Sequence, residues 1–189
     1  LAGNRQGAIA MLSRLERFFD RFSDATGWVA ALLNILMLAN VFYDAIMRYF
    51  FKTGSIAMQE LEWHLFAVVF LFGMAYTLKE DGHVRVDVLY NHFPPHWKAA
   101  VDIGGTLLFL LPLSVLIIKG SVWYVNEAYT LHEVSGDPGG LPFRWVIKSA
   151  IPISFIFLIV SSIGFVLHNI NIFRGAEQPF VHRVEDEML

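Results

Sequence analysis

Leu65-Phe66-Ala67-Val68-Val69-Phe70-Leu71-Phe72 decides the fold. A helix of a soluble bundle keeps a polar stripe on its wet side, and this octet leaves no side of a helix for water. The uncharged run around it extends from Trp63 to Leu78, 16 residues. Ile56, Ala57, Met58 and Leu61 lengthen it if Glu60 and Glu62 sit at an interface. Crossing the ~30 Å of a bilayer's hydrocarbon takes about 20 largely apolar residues. The segment therefore reads as a membrane span.

Three further stretches read the same way. Residues 25–43 hold 19 positions without Asp, Glu, Lys or Arg, residues 103–118 hold 16, and residues 149–173 hold 25. Whole-chain composition agrees. Of 189 residues, 56% are hydrophobic and only 16% charged, and mean hydropathy is +0.51. A disordered chain needs the opposite balance. Fourteen Lys and Arg against 17 Asp and Glu leave no basic excess to meet phosphates, which argues against nucleic acid as a partner. The chain has no Cys, which removes disulfides, thiolate metal sites and a thiol nucleophile. The expectation is one all-α integral membrane domain over 1–189, with spans at about 25–49, 57–79, 97–126 and 143–172 and a tail at 173–189.

Two additional helices are expected outside the spans. In residues 8–24, Ala8, Met11, Leu12, Leu15, Phe18, Phe19 and Phe22 recur at helical spacing. Arg14, Glu16, Arg17, Asp20, Arg21 and Asp24 fill the other face. That pattern suits a helix lying in the membrane interface, or one docked on other helices, with Gly27 as the turn into the first span. Residues 85–93 alternate, but Val86, Leu89, Tyr90 and Phe93 also match a helical face, so a short interfacial helix is expected there. Pro95 should open the third span, Pro112 should kink it, and Pro142 should open the fourth. Nine Lys and Arg (Arg5, Arg14, Arg17, Arg21, Lys79, Arg85, Lys98, Arg174, Arg183) flank the spans on one side. Five (Arg48, Lys52, Lys119, Arg144, Lys148) flank them on the other. The positive-inside rule then places both termini in the cytoplasm.

Polar groups near the spans are the candidate site residues. Asn40, Asp44 and Arg48 share one helical face, and Asp44 can pair with Arg48. Glu60 and Glu62 follow across a short hairpin, so Arg48 and Glu60 are expected at similar depth and in contact. A proton relay is conceivable for such groups. Their position at the end of a span favours a structural ion-pair cluster. Arg144, Trp145 and Lys148 read as a cationic and aromatic anchor at the outer interface. Seven histidines raise the possibility of heme, but His64 and His168 lie near opposite ends of their spans and cannot share one cofactor. No Gly-rich phosphate loop stands out, and almost no polar group lies at mid-depth. The residues thus point to a membrane scaffold or accessory subunit more than to an enzyme or a self-sufficient carrier.

The sequence also resembles a known family, the small membrane subunit of tripartite ATP-independent periplasmic (TRAP) transporters. The resemblance is carried by Gln59-Glu60-Leu61-Glu62-Trp63 and by Gly73-Met74-Ala75-Tyr76-Thr77-Leu78-Lys79-Glu80-Asp81-Gly82-His83-Val84-Arg85-Val86-Asp87. Pro138-Gly139-Gly140-Leu141-Pro142 with Arg144-Trp145-Val146-Ile147-Lys148 adds to it, as does Arg48. His83, Arg85 and Asp87 join the candidate contact residues through this likeness. The resemblance implies a non-catalytic subunit of the bacterial inner membrane. It would pack beside a large elevator-type subunit that imports organic acids with Na⁺, and help to dock a periplasmic binding protein. It implies no cofactor and no substrate or sodium site on this chain. The alternative from another class is a membrane anchor for heme or quinone in a redox complex. A third is a small proton-coupled exporter using Glu60 or Glu62.

Overall fold

The computed structural model describes residues 2–82 and 93–173, with side chains from residue 14 onward. Among these residues all regular structure is helical. Helix α1 spans Ala2–Phe50 and α2 spans Ile56–Lys79. Helix α3 spans Pro95–Thr130 and α4 spans Arg144–Phe173. All four are long and apolar enough to cross a membrane. Residues 85–92 of the interfacial helix expected at 85–93, and 174–189 of the tail expected at 173–189, lie outside the described residues.

The separate N-terminal helix is not found. Helix α1 is continuous for 49 residues, about 73 Å at 1.5 Å per residue. Gly27 is no turn. It admits a neighbour, because a Cβ there would lie 2.6 Å from Cδ2 of the Tyr76 ring. The amphipathic reading also assigned faces wrongly. Glu16, expected to be wet, is buried, whereas Phe18, expected on the apolar docking face, is 66% exposed. Phe22 packs edge-on against Phe157 of α4, which also meets Phe72 of α2.

Helix α4 is the most enclosed of the four, and it contacts α1, α2 and α3. Its buried positions are largely small: Ala150, Ser154, Ser161, Ser162 and Gly164. Without a hydrophobic drive between helices in lipid, close backbone approach over small residues is what holds them together. Gly164 shows this directly, since a Cβ there would sit 2.8 Å from the Phe19 Cβ of α1. The buried hydroxyls are bonded as well. Ser154 donates to the Ile151 carbonyl and Ser162 to the Ile159 carbonyl. Ser23 and Ser161 share a hydrogen bond at 2.7 Å between α1 and α4.

Helix α3 shows how a proline is accommodated. Its buried residues are Ala99, Thr106, Ser114, Ser121 and Ala128. They are spaced seven apart except for one step of eight, from Thr106 to Ser114. That step contains a π-turn at Thr106–Leu110, where the Leu111 N–H reaches the Thr106 carbonyl five residues back. A π-turn inserts one residue into the helix, so the extra position does not rotate the small-residue seam away from α4. Pro112, which lacks an N–H and would crowd the carbonyl four residues earlier, lies immediately after the turn. The irregularity expected at Pro112 is therefore a local π-turn.

The ends of the spans follow their capping chemistry. Pro95 opens α3 at its first turn, as expected. Helix α2 ends with Asp81 in the left-handed region (φ 57°), and the Gly82 N–H closes back on the Thr77 carbonyl at 2.9 Å. Helix α4 starts at Arg144 and not at Pro142, because Phe143 at φ 61° interrupts the helical path.

Candidate functional site

Glu60 lies in the first turns of α2, at the end of the bundle where the 131–143 loop returns to α4. Its carboxylate accepts hydrogen bonds from the Ser135 hydroxyl and, at 2.6 Å, from the Leu141 N–H. Arg144 Nη1 adds a contact at 3.5 Å. The loop is thereby fastened to α2 at two points, and the start of α4 at a third. It is closed on itself by Ser135 N–H to Leu141 carbonyl (3.2 Å) and Arg144 N–H to Glu133 carbonyl (3.1 Å). Gly140 has a definite role here. A Cβ at that position would sit 2.8 Å from Glu60 Oε2.

A second set of bonds ties the loop to α3 and α4. Glu133 accepts from Lys148 and lies 4.0 Å from Arg144 Nε. Lys148 also stands over the Tyr124 ring at 3.8 Å, close enough for a cation–π contact. Trp145 meets Tyr129 edge-to-face at 5.5 Å. The expected cationic and aromatic anchor of Arg144, Trp145 and Lys148 is thus assembled, but its cations are turned onto Glu60 and Glu133.

The expected contact between Arg48 and Glu60 does not form. Arg48 pairs within its own helix with Asp44, which is buried. Asn40, on the same face, donates to the Met58 carbonyl of α2 at 2.9 Å. Glu60 is committed to the loop and Arg144. Glu62, in the same first turns of α2, is half-buried. His83, Arg85 and Asp87 lie outside the described residues.

The opposite end of the bundle holds a polar cluster that the sequence reading missed. Glu16 of α1 accepts from Asn171 Nδ2 and from His168 Nδ1 of α4, both at 2.7 Å. Glu16 and Asn171 are buried. Beside them Lys79 pairs with Asp24 and with Glu80, fastening the end of α2 to α1. Glu16 is separated from its two partners by more than 150 residues, so no local spacing announces the contact. The available signal was His168, Asn169 and Asn171 in an otherwise apolar run.

These groups supply fastening between helices. Among the described residues, no three His, Asp or Glu side chains converge on a point where they could hold a metal. His168 is engaged by Glu16 at one end of the bundle, far along it from His64, so the two do not face a common cofactor.

Comparison with known proteins fits this architecture. The model of the family described as tripartite ATP-independent periplasmic transporters, DctQ component, matches residues 37–171. A protein of Haemophilus influenzae described as a TRAP transporter small permease protein is 30% identical over 150 residues, covering 78% of this chain and 86% of its own. Another of the same description and organism is 23% identical over 161 residues, covering 85% of this chain and 93% of its own. The matched region contains both hairpins, the Glu60 clamp and the α3–α4 seam. The chain belongs to the DctQ family, the small membrane component of tripartite ATP-independent periplasmic transporters, and is a transporter subunit and not an enzyme.

Proposed function

We propose that this subunit is a fixed scaffold for a transport reaction carried out on its partners. The supporting observation is where its polar groups go. Glu60, Asp44, Glu16, Asn40 and Ser161 each bond a neighbouring helix, loop or residue of this same chain. Partners of that kind fasten a scaffold, whereas a substrate path needs polar groups turned toward a solute. On this reading the large TRAP membrane subunit moves an organic acid inward with Na⁺ and holds both ligands. The present chain binds no cofactor and packs beside it in the bacterial inner membrane. Both termini lie in the cytoplasm, following the bias of positive charge. The clamped 131–143 loop then faces the periplasm. Its exposed Leu131, Val134 and Phe143, held in place through Glu60, offer an apolar surface on which the periplasmic binding protein docks.

Co-expression with the large subunit tests the scaffold. The two should purify as one complex, and the chain alone in liposomes should move no solute. Uptake by the chain alone would overturn the reading. Replacing Val134 and Phe143 by Ser should weaken binding-protein association with the purified complex and leave the complex intact. Unchanged association would remove the docking role.

A further inference from the structure

Helix α1 sorts its charges by sign between residues 14 and 24. The carboxylates of Glu16, Asp20 and Asp24 turn toward α4 and α2, where Glu16 and Asp24 are bonded. Arg14, Arg17 and Arg21 turn outward, and all three are exposed. None of the three has an ion-pair partner among the described residues. At 100° per residue, Arg14, Arg17, Arg21, Ala25 and Trp28 fall on one stripe, within about 80° of one another. Along that stripe the chemistry changes abruptly. It is cationic up to Arg21 and uncharged from Ala25 onward, and Trp28 is 78% exposed. A stripe that passes from arginine through tryptophan to aliphatic residues marks a membrane boundary.

The geometry points to an anionic phospholipid site on this face of α1, in the leaflet at its N-terminal end. Arg21 lies about 6 Å and Arg17 about 12 Å beyond Ala25 along the helix. The headgroup layer outside the hydrocarbon is roughly 5–8 Å thick on each side. The long arginine side chains reach back into it, carrying guanidinium forks suited to phosphate oxygens. Trp28, 78% exposed and about one turn inside Ala25, provides an apolar rest for the acyl chains below the arginines. Inward-turned carboxylates leave the outer face with no negative charge to compete for the lipid. The inference concerns this chain's own surface and does not depend on which subunit binds solute.

The test uses the full chain, purified alone and equilibrated with mixed micelles of phosphatidylglycerol and phosphatidylcholine. Retained lipids are weighed by native mass spectrometry. Phosphatidylglycerol should be enriched on the unmodified chain, and the enrichment should fall as salt is raised. The triple variant R14Q/R17Q/R21Q should lose about 25-fold in preference for phosphatidylglycerol, at roughly fivefold for each of Arg17 and Arg21, with Arg14, about 16 Å beyond Ala25, adding little. R14K/R17K/R21K should keep most of it. K119Q, which removes an exposed cation elsewhere on the chain, should change little. Unchanged enrichment in the triple Gln variant overturns the site, as does an equal loss in K119Q. Salt-independent enrichment on the unmodified chain overturns it too. A triple Gln variant that keeps its lipid but no longer co-purifies with the large subunit would reassign the face to a protein partner.

Discussion

Gly164 offers the most direct test of how the bundle is held together. Alanine at this position places a Cβ 2.8 Å from the Phe19 Cβ, where carbon atoms need about 3.5–4.0 Å. The Phe19 Cβ is fixed to the backbone and cannot rotate away, so α1 and α4 must part by about 1 Å. Ser23 and Ser161, now 2.7 Å apart, would stand at about 3.7 Å, beyond hydrogen-bond range. The Asn171 and His168 bonds to Glu16, also 2.7 Å, lie on the same seam and stretch with it. Losing the hydroxyl pair costs about 1 kcal/mol and weakening the bonds to a carboxylate about 1.5–3 kcal/mol. Alanine returns about 1 kcal/mol of helix propensity. The net loss is roughly 1.5–3 kcal/mol. Gly27→Ala is the control. Its new Cβ meets Cδ2 and Cγ of the Tyr76 ring at 2.6 and 2.8 Å, but that ring is 39% exposed and clears by a χ1 shift costing about 0.5–1.5 kcal/mol, which alanine's helix propensity of about 1 kcal/mol roughly offsets. Unfolding of the purified chain in detergent with increasing SDS measures both. Gly164→Ala as stable as the unmodified chain, or Gly27→Ala the more damaging of the two, would refute the close-packed seam.

Glu60→Ala should speed amide hydrogen exchange of Leu141 and Ser135 several-fold while leaving α4 protected; unchanged exchange would mean that Glu60 does not hold the loop. Charge reversal at Arg48 combined with reversal at Glu60 should show no mutual rescue in complex yield, because the two side chains have separate partners. Glu16→Ala should destabilise the chain by about 2–4 kcal/mol, since it strips the acceptor from the buried Asn171 amide and the partly buried His168 ring, and Glu16→Gln should cost less because its amide oxygen still accepts. Deleting Leu108 together with Pro112→Ala should convert the π-turn to α-helix and keep folded yield. Deleting Leu116 should turn Ser121 and Ala128 about 100° away from α4 and abolish it.

The spans were legible because hydrocarbon imposes a length and a composition, and Leu65–Phe72 satisfies both with no polar face. Pro95 was legible because its missing N–H coincides with an unpaired position of a helix start. Partner choice was not. Arg48 is nearer than Arg144 to Glu60 in sequence, but the returning loop supplies Glu60 with a hydroxyl, an N–H and a guanidinium at once. The amphipathic pattern of 8–24 was real but was read with two faces. Residues 14–24 have three, because α4 takes Glu16, Phe19 and Phe22, α2 takes Asp24, and Arg14, Arg17, Arg21 and Phe18 are left outside. The π-turn has no signature in local propensity. It is visible in retrospect as an eight-residue step in a seven-residue series of small residues. Pro142 has the residue type of a helix start, but the left-handed Phe143 overrides it.

The unbroken course of α1 past Gly27 has a mechanical consequence. At about 73 Å it is more than twice the thickness of the hydrocarbon, and one rigid rod joins both ends of the bundle. In its N-terminal third its Glu16 grips α4, and in its C-terminal half its Asn40 grips α2. A push applied at one membrane surface therefore cannot be absorbed by a hinge at the other. A neighbour that slides against this chain meets a post whose two grips must yield together, so the subunit resists tilting as one body.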